Sequence, residues 1–166
     1  MQAEWALPRV RSRGVALVTP TIEAVAHIAR NLRAADADEL FATTGHVNHF
    51  HSLTISMRAS RDTLMAVDPS GEPMALLGVG TVSLIYNTGC PWMVATPRVN
   101  AHRGALVALG RTYTRAMLTG YDRLENRVDT RNAVSIGWLR HIGFQIAPAK
   151  PYGALGLPFN LFWMQR

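Results

Sequence analysis

A chain of 166 residues, 48% of them hydrophobic and 17% charged, holds enough apolar material for one self-sufficient core and too much for a disordered segment. Lysine and arginine outnumber the acids 17 to 11, and arginine supplies nearly all of this excess because Lys150 is the only lysine; a formal charge of +6 favours anionic partners such as nucleic acid or nucleotide phosphates, or reflects arginine scattered over a solvated surface. Cys90 stands alone, which excludes an intramolecular disulfide framework, and the longest apolar run, residues 74–85, is interrupted by Gly78 and Gly80 and falls short of the roughly 20 residues of a spanning helix.

Residues 1–14 carry Arg9, Arg11 and Arg13 beside Trp5 and Leu7, and read as a basic N-terminal arm without the apolar core of a signal peptide; residues 15–166 read as a single domain. Residues 15–18 are a short strand ended by Pro20. Thr21 then caps a helix to about Leu32, with Glu23 in its first turn and Ile22, Val25, Ala26, Ile28 and Ala29 inward. Asp36 opens a second helix through Phe41, stopped near Gly45, and its acids Asp36, Asp38 and Glu39 read as partners of the helix dipole. His46, His49 and His51 cluster in the next stretch, but neither a cysteine pair nor a second histidine cluster completes a zinc set, so no metal is expected. Residues 50–59 suit a third helix.

Residues 63–67 and 73–85 flank Asp68-Pro69-Ser70-Gly71 and form a hairpin; after a turn at Asn87-Thr88-Gly89, residues 90–96 complete a three-strand antiparallel meander. Leu106, Leu109, Tyr113, Ala116 and Met117 recur at spacings of three and four, which predicts the longest helix over 100–120. A strand over 124–128 stops at Asp129, a helix starts at about Asn132, and Gly143 ends it where a left-handed backbone is needed, with Phe144 opening a strand to Ile146. Residues 148–158 read as a loop rich in proline and glycine, and 160–164 as a closing strand.

The stretch Asn132-Ala-Val-Ser135-Ile-Gly-Trp138-Leu139-Arg-His-Ile142-Gly143-Phe144, in an element order of strand, helices, meander, long helix, strand, helix and strands, resembles the second cofactor motif of the Gcn5-related N-acetyltransferases, or GNAT family. The opening residues 15–41 resemble that family too. The resemblance implies an α/β (α+β) fold with a central mixed, mostly antiparallel, splayed sheet flanked by about four to five helices, and an acetyl-CoA arm lying between the strands that bracket the helix of Asn132. A narrower resemblance, to acetyltransferase-like and internal virion proteins of short-tailed bacteriophages, rests on residues 92–96, 126–132 and 151–159. It implies a place in a bacteriophage virion or the host cytoplasm, with other virion proteins, and nucleic acid through the basic surface, as partners.

The resemblance also assigns candidate residues. Asn132 and Ser135 are expected at the acetyl-CoA arm. The family's glycine-rich phosphate loop fits residues 97–105 in no register, which leaves Arg98, Arg103 and Gly104 to meet phosphate. Leu139 stands where the family's acid is a tyrosine, and residues 90–96 contain no carboxylate. Asp129, which reads more readily as a cap of the Asn132 helix, and a histidine of the cluster His46, His49 and His51, with His49 foremost, are the candidate bases. Tyr152 and His46 are expected to line the acceptor cleft, while Cys90, Trp92 and Trp138 read as core. Two functions follow: a virion-associated protein with degenerate motifs, or an active acetyl-CoA-dependent N-acetyltransferase.

Overall fold

Side chains at the helix ends decide most of the boundaries. In the computed structural model, which describes residues 5–166, the Thr21 hydroxyl accepts from the Ala24 N–H at 3.3 Å and opens helix α1 (Ile22–Arg30), whose Val25 and Ile28 are fully buried. Helix α2 (Ala34–Thr44) ends at Gly45, and α3 (His49–Arg58) is capped by Asn48, whose Oδ1 accepts from the His51 N–H at 3.0 Å. A 3-10 turn (Pro97–His102) leads into α4 (Arg103–Gly120). Helix α5 (Ala133–Ile142) starts at Asn132 and stops at Gly143, whose φ of 111° is the left-handed conformation that a Cβ would oppose.

Among the described residues eight strands make one sheet: β1 (Arg11–Ser12), β2 (Val15–Val18), β3 (Ser60–Val67), β4 (Pro73–Ser83), β5 (Thr88–Ala95), β6 (Arg123–Asp129), β7 (Gln145–Tyr152) and β8 (Leu157–Gln165), in the order β1-β2-β3-β4-β5-β6-β8-β7. All neighbours are antiparallel except β5 and β6. One face packs on α4 and α5 through Leu64, Val79, Leu109, Leu124 and Phe162; the other packs on α1 and α3 through Ile28, Leu53, Met65 and Leu76. Truncating one of these, as in Leu124→Ala, is expected to cost about 2–5 kcal/mol.

The parallel pair positions the site. β5 and β6 are registered only at Thr88↔Arg123 and Gly89↔Leu124, and then part. At the closed end Gly89 is required by close approach, because a Cβ there would lie 2.8 Å from the Tyr121 ring. Where the strands part, Pro91 has no N–H to continue a ladder, and the Asn126 Nδ2 reaches across to donate to its carbonyl at 3.0 Å.

Two expectations change. Residues 148–158, read as a loop, are mostly strand: Pro148 and Pro151 lie in β7, the outer strand of its edge, where a missing N–H costs little, and only a tight turn separates β7 from β8. Of the expected arm, residues 1–4 lie outside the described residues, and the rest is fastened to the body. Leu7 is 1% exposed and its N–H donates to Asp62 at 2.8 Å, the Trp5 ring meets Tyr121 edge to face at 5.8 Å, and β1 pairs with β2. No helix among the described residues is long and apolar enough to cross a membrane.

Candidate active site

The gap between β5 and β6 opens into a cavity of about 240 Å³ that passes through the sheet, reached on one face by Leu106, Leu109 and Trp138 and on the other by Glu39, Thr43 and Tyr152. A second cavity of about 400 Å³ lies between the start of α4 and the face of α5, lined by Arg33, Asn100, Arg103 and His141 among others. Met93, Leu106, Ser135 and Trp138 line both, so the two form one path.

The walls of this path carry open hydrogen-bonding groups. Successive strand residues point their backbone groups to alternate neighbours. Pro91 O is met by Asn126, while further along the same edge the Ala95 N–H donates to Asp36 Oδ2 at 2.7 Å and Ala95 O accepts from the Arg33 N–H at 2.8 Å. Met93, midway between them, therefore turns its N–H and C=O into the gap. The Trp138 Nε1–H is buried on the same path and has no partner among the described residues. Such groups are costly to leave unpaired in a dry interior.

Glu39 is the residue that sequence reasoning missed as a functional group. Because α2 begins at Ala34, only Asp36 lies in its first turn, and Glu39 sits beyond the reach of the dipole role expected of it. Its Oε2 accepts from the Asp129 N–H at 3.1 Å and from Asn132 Nδ2 at 3.2 Å. Burial pushes its carboxyl up to about 7, with the charges of Asp36 and Asp129 adding to the rise and the two hydrogen bonds opposing it. A signal was present in the spacing: Asp36, Glu39, Leu40 and Thr43 recur at three and four, and all four line the cavity.

The expected residues divide sharply. Asn132, Ser135 and Tyr152 line the through-sheet cavity, and Arg103 lines the second. The Asn132 side chain is already engaged, accepting from the Ser135 N–H at 3.3 Å while donating to Glu39. Asp129, proposed as base, is 2% exposed and grips Arg131 through both oxygens, at 2.6 Å from Nη2 to Oδ2; these bonds hold its carboxyl below the usual range and make it a weak base, and the cap of α5 is Asn132 instead. Arg98, expected at phosphate, turns away to pair with Asp68 at 2.9 Å. Gly104 lies under the Arg13 guanidinium, with which a Cβ would collide. His49 opens α3, His46 lies in the loop before it with its ring edge to face on His51, and neither lines either of these two cavities. Among the described residues no three His, Cys, Asp or Glu side chains are grouped to hold a metal. Burial pushes the Cys90 thiol up to about 11, so it stays protonated near neutral pH.

No protein-family model and no curated protein sequence matches the chain. Solved structures do. The spermidine N-acetyltransferase from Vibrio cholerae in complex with CoA and spermine superposes with a TM-score of 0.68 at 9% identity, over 93% of this chain and 96% of that one. A GNAT-family acetyltransferase from Bacillus anthracis gives 0.70 at 10% identity, over 94% and 97%, and Ard1 from Thermoplasma volcanium gives 0.68 at 10%, over 92% and 97%. At such identities the likeness is one of architecture, and it runs the length of the chain. An eight-stranded mixed sheet that parts between its only parallel neighbours, with helices on both faces, is the fold of the Gcn5-related N-acetyltransferases, and this chain has it.

Proposed function

We propose that the chain is an acyl-CoA-dependent N-acyltransferase in which Glu39 is the general base. The observation that carries this reading is the placement of a carboxyl poised near 7 on one face of a path that runs through the sheet and continues to an uncapped, arginine-flanked helix start on the other. Acetyl-CoA fits the residues present: the Trp138 Nε1–H, without a partner among the described residues, and the open Met93 edge of β5 suit the amides of its arm, and Arg103 at the positive start of α4 suits its phosphates. When bound, it would supply the activated thioester.

The chain's own part is positioning and proton transfer. Asp129 N–H and Asn132 Nδ2 fix the Glu39 carboxylate through Oε2, and Oε1 has no partner among the described residues, so it can take a proton from an incoming amine. Burial keeps that carboxylate basic enough to compete for the proton. Leu139, where the resembling family has a tyrosine, gives no proton, so base catalysis and positioning carry the reaction on this side.

Calorimetry with acetyl-CoA is expected to show binding, and thiol release with amine acceptors is expected to rise with pH to a midpoint near 7. Glu39→Gln should abolish that rise and leave acetyl-CoA affinity within a few-fold. Absence of binding at millimolar acetyl-CoA overturns the reading. A virion location with virion-protein or nucleic-acid partners rests on the phage-like segments and the charge of +6; purified particles found by mass spectrometry to hold no copies would remove it.

A further inference from the structure

The face of the path that holds Glu39 has a roof. The turn between β7 and β8 crosses to the end of α2, where the Ala154 N–H donates to Thr43 O at 3.0 Å and the Leu155 N–H to Ala42 O at 3.2 Å. Gly153, at φ 76°, makes the crossing possible, since a Cβ there would meet Ala42 O at 2.5 Å. The helix end that these bonds satisfy would otherwise leave open carbonyls. Thr43 and Tyr152, adjoining the bridge on its two sides, both line the cavity. Chain thus passes over the place where an acceptor must sit, which suits a small molecule and not a threaded polypeptide segment.

Three charged side chains line this cavity: Asp36, Glu39 and Arg127. Asp36 is spent, because it accepts twice from Arg33 at 2.7 and 3.0 Å and once from the Ala95 N–H. Glu39 takes the proton. Arg127 has no ion pair among the described residues; the neighbouring acid Glu125 is taken by Arg123 at 2.7 Å, and the Arg127 guanidinium lies 4.5 Å from the centroid of the Tyr152 ring. Stacking holds the guanidinium in place while its N–H groups stay available. Arg127 and Asp129 share one face of β6 about 7 Å apart, two strand residues, and the Asp129 N–H is the group that holds Glu39. A cation, exposed at one side, and a proton acceptor therefore line the same roofed chamber.

We infer that the acceptor is a small aminocarboxylate, its anionic group bound by Arg127 and its amine presented to Glu39; the inference rests on the acyltransferase reading above. A polyamine finds the opposite arrangement, since Arg127 repels a second ammonium and no spare carboxylate lines the chamber to receive one. The amine nitrogen attacks the thioester carbon, the C–S bond breaks and CoA departs as the thiolate; one amine proton passes to Glu39, which returns it through solvent to the thiolate, so that an N-acyl aminocarboxylate and the CoA thiol leave.

The test pairs calorimetry with turnover. Acetyl-CoA binding is measured first; then, with CoA present, L-phenylalanine, L-glutamate and 4-aminobutyrate are compared with phenethylamine, spermidine and a capped lysine hexapeptide. Aminocarboxylates are expected to bind and to be acylated, with phenylalanine favoured over phenethylamine at least tenfold. Arg127→Gln should raise KM for phenylalanine about tenfold, erase that preference, and leave acetyl-CoA affinity unchanged. Equal use of phenylalanine and phenethylamine, or preference for spermidine or the peptide, in a protein that binds acetyl-CoA overturns the acceptor assignment and spares the acyltransferase reading. Failure to bind acetyl-CoA overturns the latter, and the heat of aminocarboxylate binding by the free protein, lost in Arg127→Gln or not, then decides the former alone.

Discussion

Helices α4 and α5 both begin at the edge of the path, and they begin differently. The start of α5 is closed: Asn132 Oδ1 accepts from the Ser135 N–H, and Asp129 accepts from the Arg131 N–H at 2.9 Å and clasps its guanidinium. The start of α4 is open on its side-chain side: it continues from the 3-10 turn, His102 makes no side-chain cap, no acid lies in the first turn, and Arg13 and Arg103 gather around it. A closed start spends its donors on its own chain and so becomes a rigid mount, here for Glu39. An open start keeps donors and positive potential for an anion. The sequence motif that resembles a cofactor site therefore belongs to the helix that organises the base, and the anion side falls to a helix that lacks the familiar glycine loop.

The largest effect is expected from removing what the closed start holds. Glu39→Gln should lower turnover by about 10²–10⁴ with acetyl-CoA binding retained, read from thiol release and calorimetry. Stability should change with a definite sign. The folded-state carboxyl sits at about 7 against an ordinary 4.5, so the native form binds the proton more tightly, and stability falls as pH rises from about 4.5 to about 7 and is flat above. In Glu39→Gln that slope should vanish from melts recorded across the window.

Opening the closed start comes next. Asn132→Ala removes the cap and one of the two donors to Glu39, and should cost about 1 kcal/mol in chemical denaturation. Losing a donor that lowers the Glu39 carboxyl should also move the midpoint of the rate profile upward. A loss of stability with the midpoint unmoved would show that the Asn132 to Glu39 bond has no part in tuning the base.

How much of this could be read beforehand depends on how local the physics is. Thr21, Asn132 and Gly143 announce their helix ends because a cap acts within three or four residues, and the order of elements around them carried the fold. Pro91 lies where the sheet must part, a local signal whose meaning depends on β6 being its neighbour. Glu39 was not legible as a base, since its acidity is set by burial against Asp129 and Asn132, 90 and 93 residues away. Leu7 and Trp5 look like parts of a free arm until Asp62, Thr119 and Tyr121 are in place. Arg98 looked like a phosphate ligand until the turn after β3 delivered Asp68 to it.

The last two changes act on the open start, and their signs oppose. His102→Asp would give α4 the cap it lacks, an oxygen able to accept from the N–H groups two or three residues on, and should raise stability by about 0.5–1 kcal/mol. The same oxygen would occupy those donors and bring negative charge to where phosphate is proposed, so acetyl-CoA affinity should fall several-fold while the protein becomes harder to unfold. A destabilised protein would lose affinity along with stability; here the two must separate. Arg103→Ala should do less, weakening acetyl-CoA binding by a few-fold at low salt, because its side chain is exposed and bonds weakly to Asn100 Oδ1 at 3.4 Å. The difference between wild type and Arg103→Ala should shrink as salt is raised. Stability of Arg103→Ala should stay within about 0.5 kcal/mol of wild type, and a salt-independent loss would mean that Arg103 shapes the cavity by packing and not by charge.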